Sequence, residues 1–203
     1  MAKIAVDAVL LPSETMAGKA IKANRKLLKQ ASGRIVLDKK NCLPHISLAM
    51  GCIDGEDIVD IEKILEAIAK RYCVQELKVI GIPAGTNSVG EKVSVLQIEK
   101  TGPLQSLHEE VMRRLMPHFR YDVTADTVLS PPKAEESTLL WIGNYAEKAG
   151  FENFFPHITI GYGEIDNFPF PVKFTASRLA LCHLGNHCTC RMVLISTKLK
   201  RRG

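Results

Sequence analysis

One five-residue pattern occurs twice in the chain, as Pro44-His45-Ile46-Ser47-Leu48 and as Pro156-His157-Ile158-Thr159-Ile160. In an extended strand, residues two apart share a face. His45 and Ser47 therefore point one way, and Ile46 and Leu48 point the other, into a core. His157 with Thr159, and Ile158 with Ile160, repeat the arrangement. The chain must fold around two half-buried strands that each show an imidazole and a hydroxyl. If a pseudo-twofold relates them, all four side chains line one cleft. A bare His-x-Ser/Thr is expected about 0.6 times by chance in this composition, and His187-Cys188-Thr189, which lacks the flanks, is taken as that chance case. With the proline, the isoleucine and the apolar fourth residue added, each match is on the order of one in a thousand, so two matches carry meaning.

The hydrophobic periodicity around these strands predicts a mixed fold. Residues 3–11 read as a strand and 14–31 as an amphipathic helix with Met16, Ala17, Ala20, Ile21, Leu27 and Leu28 on one side. A strand follows over 44–50. Ile58, Ile61, Ile64, Leu65 and Ile68 then mark a helix over about 56–70, started by Asp54-Gly55. Strands are expected at 77–79 and 93–98 with a loop over 81–90 between them, and a helix at 103–116 with a proline at its start. Ser130-Pro131-Pro132 marks a loop, 137–149 reads as a helix stopped by Gly150, and 155–162 as a strand. Residues 174–183 and 188–199 alternate as strands around a Leu184-Gly185-Asn186 turn. Strands and helices mix without a regular βαβ repeat, which favours an α+β fold. No linker divides residues 1–203, so one unit is expected.

Composition excludes several classes. With 203 residues, 46% hydrophobic and 24% charged, the chain suits a globular core without disulfide staples. No apolar run approaches the ~20 residues of a membrane span, so no membrane partner is expected. Asp7 interrupts the apolar start, which makes a poor export signal and a good first strand; the expected compartment is cytoplasmic. The six cysteines accordingly read as thiols before disulfides. The net charge of +5 is concentrated in residues 19–40, with eight basic residues against Asp38 alone, and in the tail Lys198, Lys200, Arg201 and Arg202. Lys19, Lys22, Lys26 and Lys29 fall on one helix face, which suits either a phosphate backbone or plain solvent.

Two imidazoles and two hydroxyls suit phosphodiester chemistry. An imidazole with a pKa near ~6.5 gives or takes a proton near neutrality. One histidine would deprotonate the attacking oxygen and the other would protonate the departing one. The hydroxyls would donate to the non-bridging oxygens. No metal or cofactor is required. The duplicated motif resembles that of the two-histidine (2H) phosphoesterase superfamily, nearest to its 2′-5′ RNA ligase and cyclic phosphodiesterase branch. The resemblance implies a bilobal α+β fold with antiparallel sheets lining a central cleft and helices outside. It also implies an activity on 2′,3′-cyclic phosphates or 2′-5′ linkages of RNA or nucleotides, with His45 and His157 as the catalytic pair and Ser47 and Thr159 as phosphate-binding hydroxyls. Many RNA-acting relatives carry a basic residue shortly after the second motif. This chain has Gly161-Tyr162 there, and Tyr162 is a candidate substrate contact or a core residue.

Other motifs read less well. His108-Glu109-Glu110-Val111-Met112 lacks the second histidine of a zinc-protease helix, and 85–92 lacks the lysine of a phosphate loop, which leaves a hairpin loop. His118 reads as a solvated helix end. Cys182, His183, His187, Cys188 and Cys190 cluster in sequence. A tight turn at 184–186 would pair His183 with His187 and Cys182 with Cys188, and adjacent pairs face opposite sides, which argues against a shared metal ion. The rivals to catalysis are a non-catalytic RNA- or nucleotide-binding cleft and a metal-binding regulator built on this hairpin.

Overall fold

The computed structural model describes residues 3–29, 34–86, 90–129, 134–165 and 168–201. The Ser130-Pro131-Pro132 loop and Arg202 lie outside them. The fold is α+β, with eight strands hydrogen-bonded into one antiparallel sheet. In chain order the main elements are β1 (Lys3–Pro12), α1 (Glu14–Leu27), β2 (Ile46–Asp54), α2 (Ile58–Arg71), β3 (Gln75–Gly81), β4 (Ala84–Thr86), β5 (Lys92–Ile98), α3 (Gly102–Leu115), α4 (Glu136–Gly143), α5 (Tyr145–Ala149), β6 (His157–Tyr162), β7 (Val172–Gly185) and β8 (Thr189–Lys198).

Two arms make up the sheet. In one, β1 lies between β2 and β7, and β8 closes on the far edge of β7. In the other, β5 lies between β6 and the successive strands β3 and β4. The β3–β7 pairing joins the arms. One motif strand belongs to each arm. The helices cross over: α1, which follows β1, packs under β6, and α3, which follows β5, packs under β2.

The amphipathic stripes produce this packing. Met16, Ala20, Ile21 and Leu27 of α1, and Ile61, Leu65 and Ile68 of α2, are buried in the main core. Thr101 caps α3, its hydroxyl accepting from the Leu104 amide, and Pro103 sits in the first turn. Burying a side chain such as Leu65 or Ile68 is worth about 1.5–3 kcal/mol, which is how a short helix with modest propensity holds its place.

Several sequence expectations are corrected. The predicted helix over 137–149 breaks at Asn144 into α4 and α5, and Gly150 ends the second piece. The expected loop over 81–90 contains β4, which pairs with β5. His118 is not simply solvated: its Nδ1 lies 3.2 Å from Asp57 Oδ1 ahead of α2. The β7–β8 connection is also irregular. Residues Asn186–Cys188 form a single 3-10 turn with positive φ at His187 and Cys188. The register therefore slips, His183 pairs with Met192, and Cys182 is disulfide-bonded to Cys190 while Cys188 stays a thiol. Neither the all-thiol reading nor a Cys182–Cys188 pairing holds.

Candidate active site

The alternation expected of the two motifs is present. Ile46, Leu48, Ile158 and Ile160 are fully buried, whereas His45, Ser47, His157 and Thr159 are half-buried on the opposite faces. Each motif strand also carries a bulge one residue after its hydroxyl. On β2, Ser47 pairs with Val9 and Ala49 with Ala8, leaving Leu48 unpaired. On β6, Thr159 pairs with Val95 and Gly161 with Ser94, leaving Ile160 unpaired. A bulge bends the strand and re-aims its side chains. It also takes a backbone carbonyl out of the ladder, and a buried carbonyl needs a donor.

A buried polar side chain from the crossed-over helix supplies that donor in each arm. His108 of α3 donates from Nδ1 to Leu48 O at 2.8 Å, and its Nε2 accepts from the Phe151 amide at 2.8 Å. Its ring stacks on Phe154 with centroids 4.0 Å apart. Asn24 of α1 donates to Ile160 O at 2.7 Å and to Ile35 O at 2.9 Å, and accepts from the Leu37 amide at 2.9 Å. Gly161 closes the second bulge with φ +145°, and a Cβ there would lie 3.2 Å from Asn24 Nδ2. Sequence reasoning gives Asn24 and His108 no such part. The available signal is a polar residue on an otherwise apolar helix stripe, between Ala23 and Leu27 in α1 and between Leu107 and Val111 in α3.

The two motif histidines are oriented in the same way. His45 Nδ1 is 2.8 Å from Leu43 O, and His157 Nδ1 is 2.8 Å from Phe155 O, in each case the carbonyl two residues back. A carbonyl only accepts, so Nδ1 carries the hydrogen in both rings, and Nε2 of the neutral ring is the basic atom. Burial pushes the His45 pKa down to about 4, against the opposing bond to Leu43, and the neighbouring His157 lowers it further. Burial likewise lowers His157, again opposed by its backbone bond. Both rings are therefore neutral at neutral pH until an anion arrives, which would favour the protonated form. Ser47 Oγ is hydrogen-bonded to Asp7 Oδ2 at 2.6 Å, and Asp7 Oδ2 is 3.8 Å from His45 Nε2.

Tyr162 is 9% exposed and lies within the core. The Arg34 guanidinium stands 3.8 Å over its ring, and its hydroxyl is 3.1 Å from His187 Nδ1. His187, read from sequence as a chance match, is thus packed against Tyr162, two residues past the second motif, with Nε2 3.5 Å from Glu135. His183 turns elsewhere, its Nε2 3.0 Å from Thr127 O. Among the described residues no group of three or more His, Cys, Asp or Glu side chains comes together to share a metal ion. No described helix is long and apolar enough to cross a membrane. Phe155 is 44% exposed, with its ring centroid 5.5 Å from that of His157.

The α+β fold with its antiparallel sheet is shared, over nearly the whole chain, with solved structures of low sequence identity, one of them described as a phosphoesterase. TT0787 of Thermus thermophilus is similar over 98% of this chain and 100% of its own, with a TM-score of 0.60 and 15% identity. LigT of E. coli in its apo form is similar over 99% and 100%, with a TM-score of 0.53 and 14% identity. LigT complexed with 3'-AMP matches over 98% and 99%, with a TM-score of 0.52 and 14% identity. No protein-family model and no curated protein sequence matches the chain.

Proposed function

We propose that the chain, acting as one bilobal unit, is a metal-independent phosphoesterase. Its substrate is a 2′,3′-cyclic phosphate or a 2′-5′ phosphodiester of RNA or a nucleotide. The reading is carried by one observation above the rest: both motif imidazoles have Nδ1 committed to the carbonyl two residues back, which leaves two matched Nε2 atoms for proton transfer. One Nε2 takes the proton of the attacking water as its oxygen bonds to phosphorus. The other gives its proton to the departing ribose oxygen as that P–O bond breaks. Ser47 and Thr159 donate to the non-bridging oxygens, where charge builds. Phe155 beside His157 offers an aromatic face to a base. The full-length likeness to LigT, which has been solved with 3'-AMP, ATP and NADP+, supports a nucleotide-bearing substrate.

Ligation is the same ring opening with a ribose 5′-hydroxyl in place of water, its oxygen bonding to phosphorus as the bond to the 3′ oxygen breaks; cleavage of a 2′-5′ linkage by the adjacent 3′-hydroxyl is the reverse. Product analysis across 2′,3′-cyclic nucleotides, cyclic-phosphate-ended RNA and 2′-5′ oligonucleotides separates the two directions. Conversion of at least one of these by the wild-type chain in the presence of chelator is expected. Binding without conversion of any of them would instead leave a phosphate-gripping module.

A further inference from the structure

Beneath Ser47 lies a carboxyl that neither proton transfer uses. Asp7 sits in the middle of β1, between β2 and β7, and is fully buried. Its Oδ2 meets Ser47 Oγ at 2.6 Å, while its Oδ1 has no hydrogen-bond partner. The amides of Leu48 and Ala49, at the bulge, lean toward the carboxyl. From β2 it also faces His45, whose Nε2 at 3.8 Å is too distant to bond. From α5 it faces Tyr145, and from the turn after β7 it faces Cys188; a charge on Asp7 would disfavour ionisation of both. Its register neighbour on β7, Cys182, is tied up in the disulfide. Among the described residues no Lys or Arg pairs with it. An ionised carboxylate here would bury a charged oxygen without a partner, which costs far more than burying a neutral acid.

The direction of the Ser47 bond then decides what Ser47 can do. A serine hydroxyl has one hydrogen. Facing an ionised Asp7, it must spend that hydrogen on Oδ2, and only lone pairs remain for a phosphate oxygen. We propose that Asp7 is a neutral carboxylic acid that donates its Oδ2 hydrogen to Ser47 Oγ, which frees the serine hydrogen for a non-bridging oxygen of the substrate; the proposal rests on the phosphoesterase reading above. Asp7 is thus a positioning residue that acts through Ser47. Its neutrality also keeps a negative charge away from His45, which leaves that imidazole available as a base. Burial raises the Asp7 pKa well above the ordinary range, although the contact with Ser47 and the two leaning amides pull it the other way, in keeping with the neutral form.

Asp7→Asn and Asp7→Ala, beside the wild type and Ser47→Ala, test this with 2′,3′-cyclic AMP as the probe and with denaturation midpoints at pH 8 and pH 4. Asn presents an N–H to Ser47 just as the neutral acid presents an O–H. Asp7→Ala should lower kcat/KM to about the level of Ser47→Ala, roughly tenfold for one lost hydrogen bond. Combining those two changes should cost little more. Asp7→Asn should regain most of what Asp7→Ala loses and leave the acidic limb of the pH profile in place. A carboxyl whose folded pKa is raised favours folding below its unfolded value near 4 and loses that contribution as pH rises. Asp7→Asn should therefore resist denaturation better than the wild type at pH 8, with the advantage gone by pH 4. The proposal is overturned if Asp7→Asn is as impaired as Asp7→Ala, shifts the acidic limb, is less stable at pH 8 or fails to fold. If even the wild type turns over no cyclic nucleotide, the phosphoesterase reading fails, and the midpoints at the two pH values still decide whether Asp7 is neutral.

Discussion

His45 and His157 are held alike but are not equivalent, because burial together with the nearby His157 presses the His45 pKa down to about 4, and the neutral Asp7 stands 3.8 Å from its Nε2. A base must be neutral and an acid protonated, so the rate should be bell-shaped in pH, with limbs that belong to the pair. Both pKa values are lowered in the free protein. The kcat/KM optimum should consequently fall on the acidic side of about 6.5, and the kcat profile, which reports the anion-bound state, should move upward. An optimum of kcat/KM well above neutrality would show that these two imidazoles do not set it. Phe155→Ala should raise KM for a nucleotide more than it lowers kcat, since it removes stacking surface and touches no proton transfer. Steady-state kinetics on a cyclic nucleotide reads the split.

At the scale of elements, the bulges decide where the motif side chains aim, and each depends on one buried polar side chain. Asn24→Ala leaves Ile160 O, Ile35 O and the Leu37 amide without their partner, at a cost of about 1–3 kcal/mol for each group left unsatisfied. Denaturant titration should register that loss, and Gly161→Ala should be destabilising as well. His108 adds a pH dependence. Burial lowers its pKa to about 4 from an ordinary 6.5. An imidazole depressed on folding leaves stability intact above the unfolded value. Stability is then lost as pH falls from 6.5 toward 4, by roughly 3 kcal/mol at the lower end. His108→Gln, which keeps a donor and an acceptor but cannot be protonated there, should reduce the loss of stability between pH 7 and pH 4.5, the remainder belonging to the depressed His45 and His157. An unchanged slope would place the acid sensitivity elsewhere.

The same elements show what the sequence carried. The period-2 alternation of the two motifs made the strands and their apolar faces legible, because burial of one face is a local property of a strand. The bulges were not legible, since they depend on partners far away in the chain: Asn24 lies 136 residues from Ile160, and His108 lies 60 from Leu48. Asp7, Asn24 and His108 did leave a trace, a polar residue where the pattern demanded an apolar one. The cysteine pairing failed for a different reason. It presupposes a tight turn, whereas the positive-φ turn at 186–188 shifts the register on which the pairing depends.

Across the whole molecule, the crossing of α1 and α3 beneath the opposite arms ties the two motif strands together. The basic face of α1 is exposed at Lys19, Lys22 and Lys26, on the helix that packs under β6, and the exposed Lys29 follows just past its end at Leu27, short of the expected helix over 14–31. If that face tracks an RNA backbone, charge reversal of the four lysines should weaken binding of a cyclic-phosphate-ended RNA and flatten its salt dependence. The slope should fall by about 0.7 for each phosphate no longer neutralised. Turnover of a mononucleotide should be spared. RNA affinity that ignores both the substitutions and salt would make the face a solvated surface.

The most direct test of the central claim is turnover of 2′,3′-cyclic AMP by the wild type, His45→Ala, His157→Ala and the double variant, each shown to be folded. Each single change should cost roughly 10²–10⁴-fold, as expected for a lost acid or base. The double change should cost far less than the product of the two, because the histidines act as one unit. A folded His45→Ala or His157→Ala variant that keeps near-full turnover would contradict the two-histidine account.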